Sequence, residues 1–120
     1  MMTDLGTEAM AALEAAGLDT VRVTEDSRAG LSALSAGSDV VLVQAPSIEF
    51  ETRRHWVATH ELWVIVSTGD MNTAQARLSK IVPALVAALD IARAEPDEFT
   101  TNQTRWSGYR LTTTSTTWTP

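Results

Sequence analysis

The sequence of 120 residues contains no cysteine. Disulfides, thiolate metal sites and a cysteine nucleophile are therefore excluded. No apolar run approaches the ~20 residues that span a bilayer. The first ten residues, MMTDLGTEAM, carry acids where a secretory signal would carry bases. We therefore expect a soluble chain that is made and used without crossing a membrane.

Basic residues are also few, with 9 Lys and Arg against 15 Asp and Glu and a net charge of −6. An acidic surface repels phosphate, so binding to nucleic acid driven by charge is not expected. A net negative charge is still compatible with a protein that surrounds DNA without binding it tightly.

Motifs for phosphate binding and nucleophilic catalysis are missing. The six glycines are scattered singly, so neither a P-loop nor a dinucleotide-binding loop is present. Ser47 follows Pro46 and precedes Ile48, whereas a nucleophile elbow needs small residues around its serine. We expect Ser47 to be a turn residue.

Histidine and glutamate offer two weaker hypotheses. His55 and His60 would lie on opposite faces of a strand, and H-E-x-x-H is absent, so we expect no metal site. Glu49 and Glu51 would share a strand face about 7 Å apart, a separation that sugar hydrolases can use. Alternating acids and apolar residues are also typical of a half-solvated strand, and we expect no enzymatic activity and no cofactor.

The length and the 44% hydrophobic content indicate one domain over residues 1–120, with a polar tail at about 115–120. Helical spacing predicts a first helix from Thr3 or Asp4 that ends before Gly17. A short strand is expected at 20–24, and residues 25–38 are either a loop or a single helical turn.

The segment SDVVLVQAPSIEFE contains the first strong strand. Residues 40–44 are apolar on both faces, which is typical of a central strand covered on both sides. Pro46 should end its pairing because proline has no backbone donor. Beyond this corner we expect Ile48 and Phe50 to return to the core while Glu49 and Glu51 face outward.

Residues 56–68, WVATHELWVIVST, form the strongest predicted strand. Both faces are apolar towards the C-terminal half, and two helices can cover only one face well. The face that carries Trp63 and Ile65 would then need another partner. This is the main argument from the sequence for self-association.

A long helix follows within residues 69–96. Asn72 and Gln75 resemble a capping box, and Arg93 would lie in the last turn before Pro96. Pro83 should kink this helix or split it in two. Alternation from Tyr109 to Thr114 predicts a closing strand.

The order of these elements resembles the tail terminator proteins of long-tailed bacteriophages. The resemblance rests on the opening helix, the strand that breaks at VQAPSIEFE, the strand HWVATHELWVIVS, the helix MNTAQARLSKIVPALVAALD and the closing strand YRLTTTST. It runs from the first helix to about Thr114.

The resemblance implies an α+β fold, with a mixed, mainly antiparallel sheet of about four to five strands and two main helices packed on one face. It also implies a structural virion protein at the head–tail junction, made in the host cytoplasm. Such proteins form a hexameric ring that caps the tail-tube protein, stops its growth and meets the head-completion proteins. DNA would pass through the ring without specific binding.

In such a ring, side chains at the subunit contact are expected among the large apolar and aromatic residues, namely Trp56, Trp63, Ile65, Trp106 and Tyr109. Glu49 and Glu51 are expected to face solvent or the lumen. The alternatives are another head–tail neck protein, a small cytoplasmic ligand-binding or regulatory module, and a small hydrolase that uses Glu49 and Glu51.

Overall fold

The computed structural model describes residues 4–52, 55–101, 104–114 and 116–118. These residues form three helices and eight strands in the order α1 (Asp4–Ala15), β1 (Arg22–Thr24), α2 (Ser27–Ser35), β2 (Val40–Val43), β3 (Ser47–Thr52), β4 (His55–Thr59), β5 (Glu61–Ile65), α3 (Met71–Ala88), β6 (Ile91–Thr101), β7 (Thr104–Thr113) and β8 (Thr116–Trp118). None of the helices described is both long enough and apolar enough to cross a bilayer.

The strands form two sheets. The main sheet has the order β1-β2-β5-β7-β6, and a small sheet has the order β3-β4-β8. Only β1 and β2 pair in parallel; every other pairing is antiparallel. The expected α+β class with a mainly antiparallel sheet is confirmed, while the second sheet was not foreseen.

The core lies on both faces of the main sheet. Along β2, Val41 and Val43 pack with α1 and α3, whereas Val40 and Leu42 pack with α2. All four residues of β2 are buried. The expectation of a central strand that is covered on both sides is confirmed, but the second face is covered by a helix that the sequence did not clearly predict.

Helix α2 occupies nine residues where a loop or one turn was expected. Asp26 caps its start by accepting a hydrogen bond from the backbone N–H of Arg28 at 3.0 Å. The sequence of α2 is rich in Ser, Ala and Gly, and Leu34 is the only leucine that the helix buries, so it shows little of the apolar spacing that predicts a helix. Packing on the sheet stabilises this helix more than its own propensity does.

Helices α1 and α2 end in the same way. Gly17 and Gly37 have φ of 76° and 95°, a left-handed conformation that glycine adopts without steric cost. Each end has the two hydrogen bonds of a Schellman motif; after α2 they run from Gly37 N to Leu34 O and from Ser38 N to Ala33 O. The expected stop at Gly17 is confirmed.

The predicted strand over 56–68 is two strands that belong to different sheets. The chain passes from β4 to β5 at His60, whose backbone makes two hydrogen bonds with Thr113. The amide of His60 donates to the Thr113 hydroxyl at 3.0 Å. The amide of Thr113 donates to the His60 carbonyl at 2.9 Å. Apolar periodicity continues through this junction, so the sequence alone does not reveal it.

Helix α3 differs from its prediction at both ends. Its N-cap is Asp70, which accepts a hydrogen bond from the Thr73 amide at 3.1 Å, so the capping box at Asn72 and Gln75 was wrong. The helix ends at Ala88, and Arg93 lies in β6. Pro83 lies inside a single continuous helix, so it does not split the helix in two.

Strand β6 replaces the expected last helical turn. Pro96 is tolerated there because β6 is an edge strand of the main sheet, where a missing backbone donor costs little. The closing strand begins at Thr104 rather than Tyr109 and pairs with β6 along its whole length. In the expected polar tail, Thr116–Trp118 pairs with β4, because a run of threonines favours extended backbone.

Two glycines of the α2 region should respond in opposite ways to alanine. A methyl group at Gly30 would meet Val40, Thr24 and Leu42 carbons at 3.5–3.7 Å, which is ordinary contact. Gly30→Ala should therefore stabilise the fold by up to ~1 kcal/mol through helix propensity. Gly37→Ala should cost about 1–2 kcal/mol, because alanine is strained at positive φ. Urea unfolding compares the two, and equal effects would contradict the assigned backbone conformations.

The N-cap of α3 predicts a dependence of stability on pH. Hydrogen bonds from the Thr73 side chain and backbone lower the pKa of Asp70. A lowered folded pKa means that the stabilisation is present above the unfolded pKa of ~3.9 and is lost as pH falls through the folded value. Asp70→Ala should lower the melting temperature at pH 7, and the difference from wild type should shrink below pH 4. A difference that is constant from pH 7 to pH 2 would contradict this role.

Candidate functional site

The residues considered for catalysis do not form a catalytic centre. Ser47 is the exposed first residue of β3, and within the described residues its hydroxyl has no hydrogen bond to a histidine or carboxylate. All six residues of β3 are exposed, so Glu49 and Glu51 lie on an open surface rather than in a cleft. Glu51 lies 3.3 Å from His55, measured between Oε2 and Nε2.

Neither histidine belongs to a metal-binding cluster of described residues. In the described part of the chain, no group of three or more His, Asp or Glu residues is arranged to hold a metal ion. The Nδ1 atom of His60 is buried and has no hydrogen-bond partner among the described groups. The backbone of His60 instead fixes the junction of the two sheets.

The five residues expected at a subunit contact lie on three different surfaces. Trp56 lies on the small sheet, and Tyr109 packs against the core on the α1 and α3 side of the main sheet. Trp63, Ile65 and Trp106 belong to the cluster on the α2 side. Ile65 is only 5% exposed because α2 covers it within the same chain, so it has little surface to offer a partner.

The small sheet presents an exposed apolar face. Phe50 pairs with Trp56 and Ile48 with Ala58 across β3 and β4, and directly opposed residues share a face. Phe50 is 68% exposed and Ile48 is 46% exposed. The prediction that these two residues return to the core was wrong, because β3 leaves the main sheet and joins a sheet that no helix covers extensively within the described residues.

Phe50 is held in place by an aromatic neighbour. Its ring centroid lies 5.3 Å from that of Trp56, and the planes are inclined by 78°, an edge-to-face contact. We call Ile48, Phe50, Trp56 and Ala58 the knob. The acids Glu49 and Glu51 lie on the opposite face, since Glu49 pairs with Val57 and Glu51 contacts His55.

A second apolar feature lies on the α2 side of the main sheet. An open cavity of about 340 Å³ lies beside α2 and is lined by residues of α2, the main sheet and the end of β6. We call it the α2 cavity. Its lining is mainly apolar and comprises Gly30, Leu31, Leu34, Val40, Leu42, Trp63, Ile65 and Phe99, with Ser27, Glu98, Thr100 and Arg110 as the polar members.

The charge of Arg110 at this cavity is already balanced. Its Nη2 lies 2.7 Å from Asp97, and the guanidinium lies over the Trp63 ring, 5.7 Å from the ring centre. Its buried Nε lies 3.9 Å from Glu61, too far for a hydrogen bond, and has no hydrogen-bond partner among the described groups. With Glu98 also in the lining, an added anion would meet nearby carboxylates. The cavity therefore suits an apolar, uncharged group.

A scan against models of known protein families finds no match for this chain. A search of curated proteins also finds no match. The interpretation of these surfaces therefore rests on their geometry and chemistry.

The α2 cavity predicts unequal costs for two core truncations. Leu85 lies in the closed cluster under α1 and α3, whereas Leu34 borders the open cavity. Leu85→Ala should cost about 4 kcal/mol in unfolding free energy, and Leu34→Ala about 2 kcal/mol, because fewer neighbours lose contact at a site that is already loosely packed. Urea unfolding of the dilute monomer measures both, and equal costs would show that the cavity is closed in solution.

Proposed function

We propose that this protein is a tail terminator, a virion subunit that forms a ring at the head–tail junction and stops growth of the tail tube. The observation that carries the proposal is that the chain has both an exposed apolar knob on the small sheet and an open, mainly apolar cavity beside α2. A ring-forming subunit needs two different contact surfaces, one for each neighbour. The α+β fold with its mainly antiparallel sheet agrees with the resemblance.

The charge of the chain supports the same proposal. Its net charge of −6 disfavours capture of DNA, which would have to pass through such a ring. Glu49 and Glu51 lie on the face of the small sheet opposite the knob. If the knob lies in a subunit contact, these acids remain available to face solvent or the lumen.

A ligand-binding module is the second candidate, and the α2 cavity is the observation that favours it. A volume of about 340 Å³ lies within the range of ~300–1,000 Å³ that small-molecule sites occupy. Such a module would keep a constant small oligomeric state and bind an apolar molecule. A neck protein other than the terminator would also form a ring, but its loss would leave tail length unchanged.

The proposal predicts the phenotype of a gene deletion in the virus that encodes this chain. Without a terminator, tube subunits should continue to add, so electron microscopy of lysates should show headless tails of variable and excessive length. Expression of the wild-type protein in trans should restore uniform tails joined to heads. Glu49→Gln with Glu51→Gln in the same chain should also restore them, since no hydrolytic role is assigned to these acids.

Tails of normal, uniform length in the deletion would contradict the terminator function. Uniform tails detached from heads would point to another neck component instead. Failure of the double glutamine variant to restore tails, with normal folding, would revive the hydrolase alternative.

A further inference from the structure

We propose that the knob of one copy inserts Phe50 into the α2 cavity of the next copy, in a head-to-tail contact between identical chains. This inference names the contact surface for the proposed ring and rests on that proposed function. A second copy of this chain is the expected occupant of the cavity, because a single kind of contact would then cover the knob of one copy and fill the cavity of the next.

The sizes of the two surfaces fit this contact. An apolar cavity of about 150 Å³ can hold a benzene ring, so the 340 Å³ of the α2 cavity is ample for the phenyl group of Phe50 with part of a neighbouring side chain. Phe50 is 68% exposed and already oriented by Trp56, so little conformational freedom is lost when it docks. An aromatic anchor that fills a partner's pocket is the usual centre of a protein interface.

The chemistry of the two surfaces also fits. The four side chains of the knob carry no charge, and the cavity is lined mainly by aliphatic and aromatic groups. Arg110 is balanced by Asp97 and Glu61, so an apolar group can enter without leaving that charge unpaired. The exposed acids of β3 lie on the face away from the knob and need not enter the contact.

The knob does not fill the cavity of its own chain. Among the described lining residues of the α2 cavity, none belongs to β3 or β4. The knob lies on the small sheet, which is separate from the main sheet that borders the cavity. Knob and cavity lie on different elements, so their pairing between copies generates a ring if the rotation closes and a filament if it does not.

The first test replaces the anchor. Phe50→Asp should raise the concentration at which assembly is half complete by about thirty-fold or more, the effect typical of losing a hot-spot residue. Val86→Asp is the matched control, because Val86 is an apolar residue on α3 that is 42% exposed and belongs to neither surface. Sedimentation velocity over a concentration series measures both, with wild type expected to form particles larger than dimers.

The second test mixes two defective variants. Gly30→Leu should place a side chain in the α2 cavity and block it while leaving the knob intact. Neither Gly30→Leu nor Phe50→Asp should assemble alone, but their mixture retains one knob and one cavity and should give a one-to-one dimer that grows no further. If circular dichroism shows Gly30→Leu to be unfolded, Ser27→Trp at the exposed cavity rim takes its place.

Wild type that stays monomeric at every concentration, or assembly of Phe50→Asp equal to wild type, would overturn the proposed contact. So would a wild type that stops at dimers, or a mixture that remains monomeric. Rings that persist in Phe50→Asp would leave the terminator function intact and place the contact elsewhere. Failure of this contact is therefore distinguishable from failure of the terminator function, which the deletion phenotype tests separately.

Discussion

The central strands β2 and β5 are apolar on both faces, and the rest of the structure depends on this constraint. Helices α1 and α3 cover one face and close it completely around Leu62, Val64 and Leu85. The other face receives only α2 and Phe99, which bury Ile65 but leave the α2 cavity open. The packing on this second face is therefore less complete than on the first.

The junction at His60 separates the two apolar features of the chain. Because β4 leaves the main sheet there, the apolar residues of β3 and β4 extend away from the core and expose Phe50. If all of 56–68 had remained in the main sheet, these residues would have packed under the helices. At this junction the His60 amide donates to the Thr113 hydroxyl and the His60 carbonyl accepts from the Thr113 amide, between the strands of the knob and those that border the cavity. This separation is what a head-to-tail assembly requires.

Several parts of the fold could be predicted from the sequence because their signals are local. The stop of α1 at Gly17 and the two-faced burial of β2 follow from conformational preference and periodicity. The exposure of Phe50, the α2 cavity and strand β6 could not be predicted in this way. They depend on which sheet a strand joins, and a period-two pattern is the same in either sheet. The helix-like residues before Pro96 pair as an edge strand only because β7 lies beside them.

The most direct measurement of the central claim is a cysteine cross-link between knob and cavity, which is clean because the chain has no cysteine of its own. In the double variant Ile48→Cys with Leu31→Cys, which keeps the Phe50 anchor beside the new knob cysteine, oxidation should join copies into a ladder of covalent oligomers on a non-reducing gel, with a largest species that marks the closed ring. The matched pair Val86→Cys with Leu31→Cys should remain monomeric. No ladder from the Ile48 pair, or an equal ladder from the matched pair, would contradict the account.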